Sequence, residues 1–312
     1  MERLNASRSP VFYGFLLAFE CLMWGVSNSV SKLGFSSISP MWCLALRYAL
    51  STLLFLAAFG KRFFTRVRKK DLLPCTLVSL ATASAFIFGF LSLVYTTATS
   101  AGFLMALAVV IAPFLSIPLL KEKLDARNLV PVAIVVVGMY CICGGTFSSF
   151  GRGELFAVLS SLSTSFMLTL SGKFLKDTDA IVLCTIQCAV CFLCSLFAAF
   201  LLEGMPSFGE IAPAGWWLVL YLALGCTFLA YLFQNIALMH VSPAFAALTW
   251  CTEPLFTAIS AYFILHERMD FLACCGALLI LAGTVFASVL ELKKAKPVAP
   301  AEPVESESAV SH

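Results

Sequence analysis

The chain is 312 residues long, 61% hydrophobic and only 12% charged, with a formal net charge of +3 and a mean hydropathy of +0.96. A water-soluble domain coats itself with about a quarter charged residues, so these values exclude an ordinary soluble protein and make lipid the surrounding solvent. The small net charge gives no argument for nucleic acid as a partner, and at about 20 residues per crossing the length allows roughly ten membrane spans and no sizeable soluble domain.

Residues 1–10 hold Arg3, Arg8 and Glu2 and form a short N-terminal segment. Apolar stretches then run over 11–31, 40–60, 73–95, 99–120, 129–144, 154–172, 180–202, 214–239, 243–265 and 271–291. These are ten predicted transmembrane helices, too long and too uniformly apolar for the alternating strands of a membrane barrel. The first stretch exceeds a signal-peptide core and lacks a small-residue cleavage site, so it is read as a retained span. Residues 292–312, with Lys293, Lys294, Lys296, three prolines and three glutamates, cannot form a core and read as a disordered tail. The connection after the second stretch holds Lys61, Arg62, Arg66, Arg68, Lys69 and Lys70, and the one after the fourth holds Lys121, Lys123 and Arg127. By the positive-inside rule both are cytoplasmic, and ten spans then place both termini in the cytoplasm of a bacterial inner membrane.

The chain also repeats itself. A shift of 145 residues matches Leu93 to Leu238, Ala101 to Ala246, Glu122 to Glu267, Lys123 to Arg268, Asp125 to Asp270 and Gly138 to Gly283. A shift of 139 to 140 pairs Gly14, Leu16 and Ala18 with Gly153, Leu155 and Ala157, and Arg47 with Gln187. Residues 11–145 and 146–291 are therefore two five-helix units. Because five is odd, the second enters the bilayer from the opposite side, and the expected fold is an all-α membrane protein of two inverted-topology repeats.

Trp24-Gly25 with Asn28, Arg47 followed by Tyr48, Glu253-Pro254, and a glutamate after the fourth and ninth spans (Glu122, Glu267) resemble the EamA branch of the drug/metabolite transporter superfamily over about residues 11–291. The resemblance implies a secondary carrier, many such proteins exporting amino acids and related metabolites, with a central cavity lined by helices 1, 3, 4, 6, 8 and 9. The chain departs from the pattern in carrying Val109 opposite Pro254, and in carrying Glu20.

Only Glu20, Arg47 and Glu253 are ionisable and deep within the predicted spans. A charge there costs ~3 kcal/mol or more, so each should face the bundle interior or a wet cavity. Glu20, Trp24 and Asn28 share one face of the first helix by the i, i+4 rule. They offer a carboxylate for a substrate ammonium or a coupling proton, an indole platform and an amide; the alternative is a packing seam in which Glu20 is neutral or pairs with Arg47. Arg47 could bind a substrate carboxylate, but on a helix that is peripheral in the resembling family, and with an uncharged repeat-mate, Gln187, it is expected in a structural ion pair. Glu253 adjoins a proline that should kink or unwind the ninth span, a frequent carrier design. Tyr231, Gln234 and Asn235 supply neutral donors suited either to a zwitterionic or polyhydroxylated ligand or to interhelical bonding, and Phe86, Phe88, Phe103 and Trp250 are candidate cavity walls. Cys184, Cys188, Cys191 and Cys194 share a face of the seventh span and read as small apolar residues, with no metal and no cofactor implied. Neither a nucleophile dyad nor a phosphate loop stands in the sequence, so neither an enzyme nor an ATP-driven pump is expected. The expected function is a carrier exporting a small amphipathic metabolite, amino acids first, by alternating access and with proton coupling an option. Its partners would be the bilayer, a small-molecule substrate and protons, as a monomer or homodimer. An importer of a nucleotide sugar or vitamin, and a channel or scaffold, are the alternatives.

Overall fold

Hydrocarbon offers no partner for backbone N–H and C=O groups, so a chain this apolar satisfies them within its own helices. The computed structural model describes residues 10–120, 127, 129–142, 144, 150–174, 178–206, 208–238 and 249–294, and all regular elements among them are helical. They are α1 (Pro10–Gly34), α2 (Pro40–Arg66), α3 (Lys69–Tyr95), α4 (Ala98–Met105), α5 (Ala108–Leu120), α6 (Leu129–Ile142), α7 (Arg152–Phe174), α8 (Ala180–Leu202), α9 (Pro213–Ala223), α10 (Ala230–Leu238), α11 (Glu253–Ile264) and α12 (Phe271–Lys294). A π-helical turn, Leu224–Leu229, joins α9 to α10 without interrupting the rod. Six stretches among the described residues are long and apolar enough to cross a membrane: Pro40–Arg66, Lys69–Tyr95, Arg152–Ser171, Ala180–Leu202, Pro213–Gln234 and Phe271–Leu290.

Helix starts follow local chemistry. Pro40 and Pro213 open α2 and α9, where a missing N–H is harmless. Asp179 caps α8 by accepting from the Ile181 N–H at 2.9 Å, and Thr97 caps α4 by accepting from that of Ser100. The second and third helices run further than their apolar cores. Arg62 and Arg66 continue α2, and Lys69 and Lys70 open α3, leaving only Val67 and Arg68 between them.

The predicted fourth span is not one helix. It breaks at Ala106–Leu107, and the ninth breaks at Cys251–Thr252, so Pro254 sits in the first turn of α11 rather than inside a kinked helix. The two breaks share their backbone bonding. Leu107 N–H donates to Leu104 at 3.2 Å, and Val110 and Ile111 both donate to Leu107; 145 residues on, Thr252 donates to Thr249 at 3.0 Å, and Leu255 and Phe256 both donate to Thr252. Proline is thus no requirement for the break, since the first copy makes it with Val109 in that place.

Packing obeys the same offsets. The central contacts join α2 to α8, α3 to α7, α6 to α12 and α1 to α11. On α6 and α12 glycines bring the backbones together: an added Cβ on Gly138 would lie 2.8 Å from the Gly276 carbonyl oxygen and 2.9 Å from the Ile280 nitrogen, and one on Gly283 would lie 3.0 Å from the Pro131 carbonyl oxygen and 3.4 Å from the Val135 nitrogen. A shift of 145 residues turns the first pair of contacts into the second. Elsewhere Gln187 on α8 donates to Thr82 on α3 at 2.8 Å, and Arg47 on α2 donates to Thr227 in the π turn at 2.5 Å. Thr82 and Thr227 are 145 apart, Arg47 and Gln187 140.

Candidate functional site

Glu20, Trp24 and Asn28 leave α1 on one side, toward the first turn of α11 and the π turn before α10. Gly25 lets α1 reach the α11 backbone: an added Cβ there would lie 2.6 Å from Phe256 Cβ, 2.8 Å from the Glu253 carbonyl oxygen and 2.9 Å from the Thr257 nitrogen. Hydroxyl and amide groups then fasten the seam. Asn28 Nδ2 donates to Thr257 Oγ1 at 3.2 Å, and the Ser29 and Ser260 hydroxyls meet at 2.7 Å.

This close approach sets Glu20 against the start of α11. The Glu20 side chain is completely buried, neither carboxyl oxygen has a hydrogen-bond partner among the described residues, and the same holds for Trp250 Nε1. Its polar neighbours are the Glu253 carboxyl and the Trp250 indole. The Cys21 thiol lies by the same two carboxyls, with the Thr252 hydroxyl in reach, and donates to the Thr249 carbonyl at 3.5 Å. Glu253 is half-buried where Glu20 is fully enclosed, and a bare negative charge on Glu20 beside a second carboxyl is costly unless a proton or a cation offsets it. The copy of this position in the first half holds no acid: Ala108 stands 145 residues before Glu253, and its carbonyl accepts from Ser165 of α7 at 3.0 Å.

The ion pair expected of Arg47 is not formed. Among the described residues no carboxylate lies within ion-pair distance of it, and Glu20 is not its partner. The guanidinium is instead satisfied by the π turn, with Nε donating to Thr227 Oγ1 and Nη2 to the Cys226 carbonyl at 3.0 Å, and it lies 5.5 Å and 5.2 Å from the ring centres of Tyr48 and Phe86. The physical reason is that a π turn turns carbonyls out of the helix ladder. Trp24 Nε1 uses the same Cys226 oxygen at 2.9 Å, and Ser51 takes the Ala223 oxygen at 3.1 Å. Trp24 also meets Tyr231 edge to face with ring centres 6.1 Å apart, and the Tyr231 hydroxyl reaches that of Tyr48 at 3.3 Å.

The structure therefore gathers Glu20, Trp24, Asn28, Tyr231, Trp250 and Glu253 along α1 and its neighbours. Gln234 is half-buried on α10, and the side chain of Asn235 lies outside the described residues. Phe103 is instead buried in a core with Val135, Ala157 and Ile280, and Phe88 stacks on Phe156 of α7 with centres 6.2 Å apart. Cys184, Cys188 and Cys191 are buried in the core shared by α2, α3 and α8. Thr257 and Thr227 escaped the sequence reading, although Thr257, four residues after Glu253, was within reach of the i, i+4 rule. A second polar cluster closes the end of α1 that carries Lys32. The Glu267 carboxylate accepts from the Ala98 and Thr99 amides at 2.8 and 3.1 Å and from Thr99 Oγ1 at 2.9 Å, capping α4, while Lys32 lies 3.7 Å from it and donates to the Thr96 carbonyl. Glu122 lies outside the described residues.

The profile of the EamA-like transporter family matches the chain twice, over residues 11–144 and 151–289. An "Uncharacterized transporter" of Archaeoglobus fulgidus is 27% identical over 275 residues, covering 86% of this chain and 94% of that protein. A second from the same organism is 27% identical over 273 residues, covering 88% and 84%. The "Uncharacterized transporter YetK" of Bacillus subtilis is 26% identical over 296 residues, covering 89% and 87%. A crystal structure covering 89% of this chain and 98% of its own superposes with a TM-score of 0.63 at 17% identity, a likeness of fold alone. With both halves matched, the chain belongs to the EamA-like transporter family, within the drug/metabolite transporter superfamily.

Proposed function

We propose that the chain is a ten-span carrier built of two inverted five-helix repeats, and that it moves a small amphipathic metabolite bearing an ammonium group, with amino acids the leading class, outward across a bacterial inner membrane. The observation that carries the site is the Glu20 carboxyl, buried with no hydrogen-bond partner among the described residues and with the Glu253 carboxyl and the Trp250 indole as its polar neighbours. At 1.5 Å per residue Glu20 lies ~15 Å along α1 from Pro10, near mid-membrane, where a substrate has to be held to be reached from either side in turn. An ammonium or a proton neutralises the pair, so exchange of one for the other supplies the coupling. The inverted arrangement is supported by contacts that map onto one another under the repeat offsets: the glycine contacts of α6 and α12, the Arg47–Thr227 and Gln187–Thr82 bonds, and the paired breaks at 106–107 and 251–252.

Counterflow into proteoliposomes, with pooled radiolabelled amino acids, amines, sugars and nucleosides and with and without a pH gradient, tests the reading. An amine-bearing compound should accumulate, respond to the gradient, and cease to accumulate with Glu20→Gln or Glu253→Gln. Accumulation of a neutral sugar, or transport undiminished in both glutamine variants, would overturn it.

A further inference from the structure

The basic ends of α2 and α3 have no part in that site, and their placement points to a different partner. Each helix is 27 residues long, about 40 Å, against a hydrocarbon core of about 30 Å. Some 10 Å of helix therefore stands in the headgroup layer, and the turn between the two is only Val67 and Arg68. Six cations lie there: Lys61, Arg62, Arg66, Arg68, Lys69 and Lys70, all exposed. Two are answered by acids, Arg62 by Asp179 at 2.9 Å and Arg68 by Asp71 at 2.7 Å. Among the described residues Lys61, Arg66, Lys69 and Lys70 have no carboxylate within ion-pair distance. The two pairs hold the backbone of the turn, Arg62 to α8 and Arg68 to the first turn of α3, while Phe63 and Val67 pack on the Cys75, Val182 and Ile186 cluster. The four remaining charges are thus presented from a fixed support, where an anion would relieve their mutual repulsion. Beside them Phe64, Leu72 and Leu73 are 72%, 45% and 69% exposed, apolar groups at the level where acyl chains begin.

We infer that the α2–α3 end is a binding surface for anionic phospholipid, the headgroup phosphate lying among Lys61, Arg66, Lys69 and Lys70 and the acyl chains against Phe64, Leu72 and Leu73. A free phosphate would use the cations but gain nothing from the apolar neighbours, so the whole surface fits a lipid rather than a soluble anion. Each cation near an anionic headgroup contributes about fivefold in affinity.

Purified full-length protein titrated with dioleoylphosphatidylglycerol, dioleoylphosphatidylcholine, or glycerol 3-phosphate, followed by native mass spectrometry and by thermal unfolding, tests this. Phosphatidylglycerol should be retained and should raise the unfolding temperature where the other two do not, with apparent affinity falling about fivefold for each of Lys61→Gln, Arg66→Gln, Lys69→Gln and Lys70→Gln. In 0.5 M NaCl the wild-type preference should shrink sharply, a measurement that needs no variant. Equal retention of phosphatidylcholine, equal stabilisation by glycerol 3-phosphate, or a preference insensitive to both salt and substitution would each overturn the inference.

Discussion

Gly25→Ala is the sharpest structural test of the α1–α11 seam. The new methyl would lie 2.8 Å from the Glu253 carbonyl oxygen and 2.9 Å from the Thr257 nitrogen, both backbone atoms that no side-chain rotation can move. To restore ordinary contact the helices must part by about half an ångström, and overpacking of this kind costs about 1–3 kcal/mol. Parting them also weakens the Asn28–Thr257 and Ser29–Ser260 bonds, each interhelical bond being worth ~0.6 kcal/mol. The expected loss is about 2–4 kcal/mol in the unfolding free energy measured by denaturant titration in mixed micelles. Gly60→Ala is the control. Nothing lies within 4 Å of a Cβ added at Gly60, so the better helix propensity of alanine makes that change neutral or stabilising by up to about 1 kcal/mol. Equal stabilities for Gly25→Ala and wild type, or an equal loss from Gly60→Ala, would refute the close-approach argument.

Gly138→Ala and Gly276→Ala should each cost about 1–3 kcal/mol, and the double variant less than the sum, because both methyls contend for one α6–α12 contact; additive losses in the same titration would contradict this. Glu267→Gln should lower stability by about 1.5–3 kcal/mol, since the charged acceptor serves two amides, a hydroxyl and Lys32; unchanged unfolding would show that the cap carries no energy. Arg47→Gln should be milder than Arg47→Met, because glutamine can bond Thr227 as Gln187 bonds Thr82, and the difference should vanish in a Thr227→Val background. A double-mutant cycle without coupling would remove that bond from the account.

What could be read beforehand follows from what periodicity and composition encode. Apolar runs such as 180–202 mark their helices because lipid leaves the backbone no alternative. Composition cuts the ends of α2 and α3 short because Lys61, Arg62, Arg66, Lys69 and Lys70 resemble loop residues, whereas a helix projecting into the headgroup layer has no reason to stop at a charge. The break at Ala106–Leu107 carries no glycine or proline; its counterpart has Pro254, and only the repeat links them. Residue type alone points Arg47 to a carboxylate, because it gives no sign of the π turn at 224–229, whose buried Cys226 carbonyl supplies the acceptor. Aromatic type makes Phe103 a candidate cavity wall, but its rotation on α4 buries it against α6 and α12. Glu267 marks the end of the ninth span in the sequence, but that it caps α4, a helix far away in the chain, only the tertiary fold reveals.

The most direct test of the central claim, two oppositely inserted repeats around one mid-membrane pair of acids, is a topology measurement with paired reporters active on opposite sides of the membrane, fused at the amino terminus, the carboxyl terminus and the connection between the halves. The account predicts both termini in the cytoplasm and the connection outside. Termini on opposite faces would contradict it, because two such five-helix units could not then be inserted in opposite senses.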